Sequence, residues 1–261
     1  MSLSKKDISK NISTKANIKK LISSKILDFF ILDISNKSKE NVTRFAWKYG
    51  LPIPKTYIYY NRPNADKFLK KTKYYDGIVY EWNLPSGFSC PFALECLVKV
   101  DRKTGKFDNK SNAYRCYSAM QERFPAVREH RWKNFDFLRY GGIPEIPIKA
   151  KHIRIHMSGD FYSQDYFDMW LKLCSEHKDV EFWAYTKSVN YWVNRLNEIP
   201  KNLTLTASRG GKHDSLIEKH NLKNVEIIKK KEQANGRPID EKDREARRPN
   251  VNFCLIDNFA K

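Results

Sequence analysis

Cysteine is the residue in this chain whose type and spacing most directly carry chemistry. Five residues separate Cys90 from Cys96, and nineteen separate Cys96 from Cys116. That spacing matches no standard zinc finger. Iron–sulfur sites tolerate irregular spacing, provided a loop brings the thiolates together. Cys90 and Cys96 stand in such a loop. Asn83 to Ser89, rich in Pro, Gly and Ser, follows the strand-like run Gly77 to Trp82. The expectation is a site on Cys90, Cys96 and Cys116 holding an iron–sulfur cluster, with zinc as the alternative. Cys254 is the candidate fourth ligand by element type, although Val251 to Ile256 reads as ordinary strand text. Cys174 sits among apolar residues of a helix and reads as core. Three unrelated buried thiols are the competing structural reading.

A second constellation follows three strand-like runs. His156, Ser158 and Asp160 end the first, Tyr185, Thr186 and Lys187 the second, and Ser208 and Arg209 the third, before Gly210 and Gly211. Parallel strands would bring these ends to one rim, where α/β proteins keep their functional groups. Asp160, His156, Lys187 and Ser208 are the catalytic candidates. Ser158, Tyr185, Thr186 and Arg209 are the substrate-binding candidates. For Asp160 the structural alternative is a turn or helix cap. For His156 it is a satisfied core histidine.

Alternating elements must position these residues. The spacing predicts strands over Ile153 to His156, Val180 to Tyr185, Leu203 to Ala207 and Val225 to Ile228. Helices are expected over Ser163 to His177, about Val189 to Asn197, and Asp214 to His220. Ser118 to Arg131 also reads as helical, with Pro125 breaking it or starting a segment. Strand–helix alternation implies an α/β fold, a partial (β/α) barrel or a parallel sheet with right-handed crossovers. The charged stretch Lys229 to Pro249 reads as loop. Residues 1–45 read as a basic, amphipathic helical arm, and 46–261 as the metal- or cluster-binding domain.

The order Cys90-Pro-Phe-Ala-x-x-Cys96, Arg115-Cys-Tyr-Ser-Ala, Arg131-Trp-Lys-Asn, His156-x-Ser-Gly-Asp-Phe-Tyr-Ser-Gln, Tyr185-Thr-Lys-Ser and Leu205-Thr-Ala-Ser-x-Gly-Gly resembles the phage "gene product 88" family. The resemblance spans roughly residues 50–231. It implies that Cys90, Cys96, Cys116, Ser158, Gly159, Asp160, Tyr185, Thr186, Lys187 and Ser208 belong to one recurrent site. More remotely, the layout resembles radical S-adenosylmethionine enzymes, which carry a cluster loop after the first strand of a partial barrel. That likeness would imply S-adenosylmethionine as a cofactor. Their compact three-cysteine motif is absent, and Gly141-Gly142 is a faint echo of their glycine-rich motif.

Charge indicates the partner. Forty-nine Lys+Arg against thirty Asp+Glu give +19. A surplus of that size favours nucleic acid, against a lysine-rich composition as the bland reading. Lys70, Lys71, Lys73, Arg128, Arg131 and Lys133 are the contact candidates beside nearby aromatics. No run suits a membrane span, and no export signal appears, so the expected location is cytoplasmic, host cytoplasm if phage-encoded. GxxxxGK, GxSxG and HExxH motifs are absent. The function expected is an iron–sulfur or metal enzyme acting on nucleic acid or nucleotides, radical-S-adenosylmethionine-like in layout. The alternative is a metal-stapled nucleic-acid-binding protein without catalysis.

Overall fold

The computed structural model describes residues 70–71, 78–108, 116–139 and 141–257. The arm expected over residues 1–45 lies outside them, as does Lys73. The chain divides into two compact units, Met1–Arg62 with Arg139–Gly142, and Pro63–Leu138 with Ile143–Lys261. The second carries the sheet.

Seven strands lie side by side in chain order: β1 Lys70–Lys71, β2 Ile78–Trp82, β3 His152–Ile155, β4 Glu181–Thr186, β5 Leu203–Ser208, β6 Asn224–Ile228 and β7 Phe253–Ile256. β1 pairs antiparallel with β2, and every pairing from β2 to β7 is parallel. The sheet is open, so the parallel-sheet form of the expected α/β fold is the one adopted. The helices are α1 Tyr117–Gln121, α2 Pro125–Arg139, α3 Gln164–Glu176, α4 Val189–Val193 and α5 Ser215–Lys219. Pro125 starts α2, where its missing N–H costs nothing. Ser163 caps α3 by accepting from the Tyr166 N–H. No helix among the described residues is long and apolar enough to cross a membrane.

Neighbouring parallel strands taken in sequence order, with right-handed crossovers, place their helices on one face. The core shows this. Ile153, Ile155, Phe182, Ala184, Leu203, Leu205 and Ala207 alternate onto one side of the sheet. There they meet Phe135 of α2, Phe167 and Trp170 of α3, Trp192 of α4 and Ile217 of α5. The residues between them face the other side, which no helix among the described residues covers. The stretch 240–247 does so instead. Ala246 packs with Val79, Trp183, Val225 and Phe253. Asp243 pairs with Arg154 at 2.8 Å and accepts from the Tyr185 hydroxyl at 3.0 Å. Arg247 pairs with Glu181. The stretch expected to be a plain charged loop is therefore a strap that closes the second face.

Asp240 holds the strap's bend. Its buried carboxylate accepts four backbone N–H groups, from Lys242, Arg244, Glu245 and Ala246, at 2.9–3.0 Å. Hydrogen bonds to a charged group contribute roughly 1.5–3 kcal/mol each, although not additively. Asp240→Ala should therefore cost about 3 kcal/mol in urea unfolding. It should also expose Arg244, Arg247 and Arg248 to limited trypsin digestion. Wild-type stability with an uncut strap would contradict this role.

Candidate functional site

The loop after β2 lies across the C-terminal rim of the sheet, and main-chain bonds hold both its ends. At the near end Leu84 N donates to Ser158 O at 2.9 Å, and Ser158 N donates to Asn83 Oδ1 at 3.0 Å. Ser158 Oγ lies 2.9 Å from both Leu84 O and Ser86 Oγ. At the far end Leu94 N and Glu95 N both donate to Gly210 O, at 3.1 Å, and Lys212 N donates to Phe92 O at 2.9 Å. Two glycines make room. Gly159 has φ +88°, and a Cβ there would lie 2.6 Å from Leu84 Cβ and from Ser89 Oγ. Gly210 also has φ +88°, and its Cβ would run into the Glu95 side chain. Only glycine adopts this backbone region without strain.

Cys90 and Cys96 ride on this loop, and Cys116 precedes α1. All three are free thiols. Burial pushes the Cys90 thiol well above its usual range, and Asp160, Cys116 and Cys96 push it the same way. Cys116 is pushed up to about 11, first by burial and then by Cys96. Backbone N–H groups of Ala119 and Ser118, and the charge of Arg131, oppose that rise. The three thiols thus share one electrostatic neighbourhood with Asp160. Among the described residues, no three His, Cys, Asp or Glu side chains are grouped to hold a metal ion.

Asp160 is buried beneath the loop. Its Oδ1 accepts from the Phe161 N–H at 2.7 Å and the Thr186 hydroxyl at 2.6 Å, and Oδ2 accepts from the Lys187 N–H at 2.7 Å. Burial raises its carboxyl to about 6, against the pull of these donors and of the Lys187 charge. A carboxyl at that value exchanges protons near neutrality, as a general acid or base must. Lys187 Nζ reaches Ser208 O at 3.0 Å, Ser208 Oγ at 3.1 Å and the Arg209 carbonyl. It thereby ties the end of β5 to that of β4.

The sequence profile described as Gene product 88 matches residues 60–258. This chain belongs to the gene product 88 family. The Gene 88 proteins of Mycobacterium phages D29 and L5 are each 30% identical to it over 131 aligned residues, covering 42% of this chain and 48% of the relative. The chain thus spans about half the length of the curated relatives it matches. No solved structure matches it.

Within this gene product 88 protein, the rim gathers Cys90, Cys96, Cys116, Ser158, Asp160, Thr186, Lys187 and Ser208. Other expected residues lie elsewhere. Cys254 is buried on the edge strand β7 with Ile228 and Ala234, and its charged neighbours are Arg237 and Glu226, so it is no fourth ligand. Tyr185 faces the strap on the opposite side of the sheet. Arg209 turns away to Glu218 at 2.6 Å and Asn224 at 3.0 Å. Arg128 and Arg131 are buried and cannot contact nucleic acid. Arg128 donates to the carbonyls of Arg102 and Glu122, and Arg131 pairs with Glu122. Lys133 is exposed, 3.9 Å from Glu129. Lys70 and Lys71 are described only as the backbone of β1.

His156 is a core residue. It bends the chain after β3 at φ +64°, and its Nε2 lies 2.8 Å from the Tyr166 hydroxyl. Sequence reasoning missed Asn83, whose amide oxygen seats Ser158, although the strand-end rule applied to β2 would have pointed to it. It also missed Glu122, Phe92, Tyr191 and His213. Phe92, between the cysteines, packs edge-on against Tyr191 at 5.2 Å and His213 at 4.7 Å. Burial and the charge of Asp160 raise the Tyr191 hydroxyl.

Gly159→Ala should destabilise the chain by about 2–4 kcal/mol, because it adds both left-handed strain and a clash with the loop's base. Urea unfolding measures this, and a change under 1 kcal/mol would refute the close approach. Burial lowers the His156 imidazole to about 3. An unfolded histidine takes up its proton near 6.5, so stability is full above that pH and is lost as pH falls from 6.5 towards 3. The loss attributable to this residue over that whole range is on the order of 5 kcal/mol. His156→Asn keeps a residue type tolerant of positive φ and should flatten stability measured from pH 7 to pH 4. Asp160 acts with the opposite sign. Its ionisation penalty appears as pH rises from about 4 to about 6.

Proposed function

We propose that Cys90, Cys96 and Cys116 hold an iron–sulfur cluster in an enzyme acting on nucleic acid or a nucleotide, with Asp160 as its acid–base group. The observation that supports this is the mutual electrostatic influence of three free thiols, two on the loop after β2 and one before α1, beside the buried carboxyl of Asp160. A cluster tolerates thiolates spaced more widely than a single ion does, because each thiolate binds its own iron, and among the described residues no three ligating side chains are grouped for a single ion. Bound metal also reverses the electrostatics: it favours the thiolates that burial alone disfavours. When bound, the cluster supplies one-electron chemistry. The chain's own residues seat the cysteine loop, exclude water from Asp160 and hold its proton near neutral pH.

The charge of +19 supports a polyanionic partner. With Arg128 and Arg131 buried, that partner must be met by the exposed lysines. Free thiols and a labile cluster suit a reducing compartment such as host cytoplasm. The layout at the rim makes S-adenosylmethionine the first co-substrate to assay. A zinc-stapled nucleic-acid-binding protein is the second reading, and the same charge supports it.

Anaerobic reconstitution with iron and sulfide tests the proposal. The expected result is a brown protein retaining iron and acid-labile sulfide after desalting. Cys90→Ser, Cys96→Ser and Cys116→Ser should each abolish retention, whereas Cys174→Ser and Cys254→Ser should not. Stoichiometric zinc with no sulfide would move the assignment to the second reading. Iron retained by all three rim variants would overturn the site.

A further inference from the structure

Phe88 and Phe124 are exposed, at 40% and 53%. A lone exposed apolar residue needs no explanation, but each of these rings has a cation beside it. Lys99 Nζ lies 5.4 Å from the Phe88 centroid, and Arg123 Cζ lies 4.9 Å from that of Phe124. A chain of contacts links the two. Phe88 packs on Trp132, with centroids 4.8 Å apart, and Arg102 Cζ lies 5.0 Å from the Trp132 centroid. The Arg102 carbonyl accepts from Arg128 Nε at 2.8 Å, and Arg128 Nη1 donates to Glu122 O at 2.6 Å and to Arg123 O at 3.4 Å. Buried Arg128 touches no ligand, yet it ties the turn that carries Arg102 to the segment that carries Arg123 and Phe124.

Backbone geometry presents the rings. Gly87 turns at φ +73°, where a Cβ would lie 2.3 Å from Val98 O and 2.8 Å from Lys99 Cγ. Only glycine makes that turn without strain, and it sets Phe88 beside Lys99. Trp132, behind Phe88, is itself backed by Phe135 at 5.8 Å. The Phe88 ring is thus braced in advance, which lowers the entropy lost on binding.

Positive charge is in excess here. Lys99, Lys103, Lys106 and Arg123 are exposed, and none of the four forms an ion pair among the described residues. The acids of the same turn bind its own backbone. Asp101 Oδ1 accepts from the Lys103 and Thr104 N–H groups and from the Thr104 hydroxyl, and Asp108 Oδ1 accepts from the Lys99 N–H. Flat rings interleaved with unpaired cations fit nucleic acid whose bases are unstacked, because the rings take bases and the cations take phosphates. A duplex hides its base faces, and an acidic peptide has none to offer.

We propose that Phe88 and Phe124, with Lys99, Lys103, Lys106 and Arg123, form a binding surface for single-stranded nucleic acid. The inference rests on the nucleic-acid part of the reading above and needs no metal at the cysteines.

Fluorescence anisotropy tests it, with the full chain titrated into labelled oligothymidylate and oligouridylate between low and physiological salt. Phe124→Ala should weaken binding roughly five- to a hundredfold, the loss of one stacked base, and leave the salt slope unchanged. Phe124→Leu keeps an apolar side chain without the flat ring and should weaken binding too, whereas Phe124→Tyr should match wild type. Combining Lys99→Gln, Lys103→Gln and Lys106→Gln should instead lower the log–log salt slope by about 2, at about 0.7 per phosphate contact. Phe88→Ala should act as Phe124→Ala does; because Phe88 covers Trp132, the Phe124 and lysine variants decide the matter if it unfolds. The tighter of the two oligonucleotides identifies DNA or RNA as the strand.

Equally tight binding of a duplex of the same length, or of polyglutamate, would overturn the single-strand assignment. Wild-type affinity and slope in every variant would overturn this surface and leave nucleic acid to another part of the chain. A wild-type chain that binds neither oligonucleotide at low salt would sink the nucleic-acid reading first, and this inference with it.

Discussion

Chain-order pairing of parallel strands is the constraint on which everything else here depends. Among the described residues it sends the crossover helices to one face, and a strap of charged residues packs on the other. It also brings the ends of β2, β3, β4 and β5 to one rim, where Asn83, Asp160, Lys187 and Ser208 gather although the first and last are 125 positions apart. The cysteine loop is a consequence of that rim. It is held by atoms that two strand-end loops present side by side, at Ser158 and at Gly210.

Periodic text was the legible part of this sequence. Strands β3 to β6 and helix α3 lie within one or two residues of where apolar alternation and the Ser163 cap place them, because burial on one side imposes period two on strands and 3.6 on helices. The rim was legible for the same reason, since strand ends follow once the strands are found. Polar residues that point inward were not. Arg128, Arg131 and Asn134 of α2 look from composition like a phosphate-binding face. In the fold they form an inward stripe at helical spacing, satisfying buried carbonyls and Glu122. Nothing in local sequence separates a basic helix face turned to solvent from one turned to loop carbonyls. The strap was hidden likewise. Its contacts are ion pairs and a hydrogen bond between residues 58 to 89 positions apart in sequence, and no pattern within a window records them.

The electrostatics of the rim are unusual in direction. Burial disfavours ionisation of Cys90, Cys116 and Asp160 alike, and each negative charge raises the cost of the next. Left to itself the site holds its thiol protons, whereas Asp160 releases its proton near pH 6. Only the Thr186 hydroxyl, Lys187, Arg131 and a few backbone N–H groups pull the other way. Thiols kept neutral in this manner are a receptor for positive charge.

The loop's attachment through peptide groups has an evolutionary corollary. Leu84, Phe92, Leu94, Glu95 and Lys212 make their rim bonds with main-chain atoms, which every residue except proline can supply equally as donors. The path of the loop is therefore largely indifferent to the side chains along it. Drift can erase similarity there, at the exposed Leu94 for example, without moving the cysteines. Distant members of the family will be recognised more readily by superposing the course of this loop between its two glycine seats than by comparing letters.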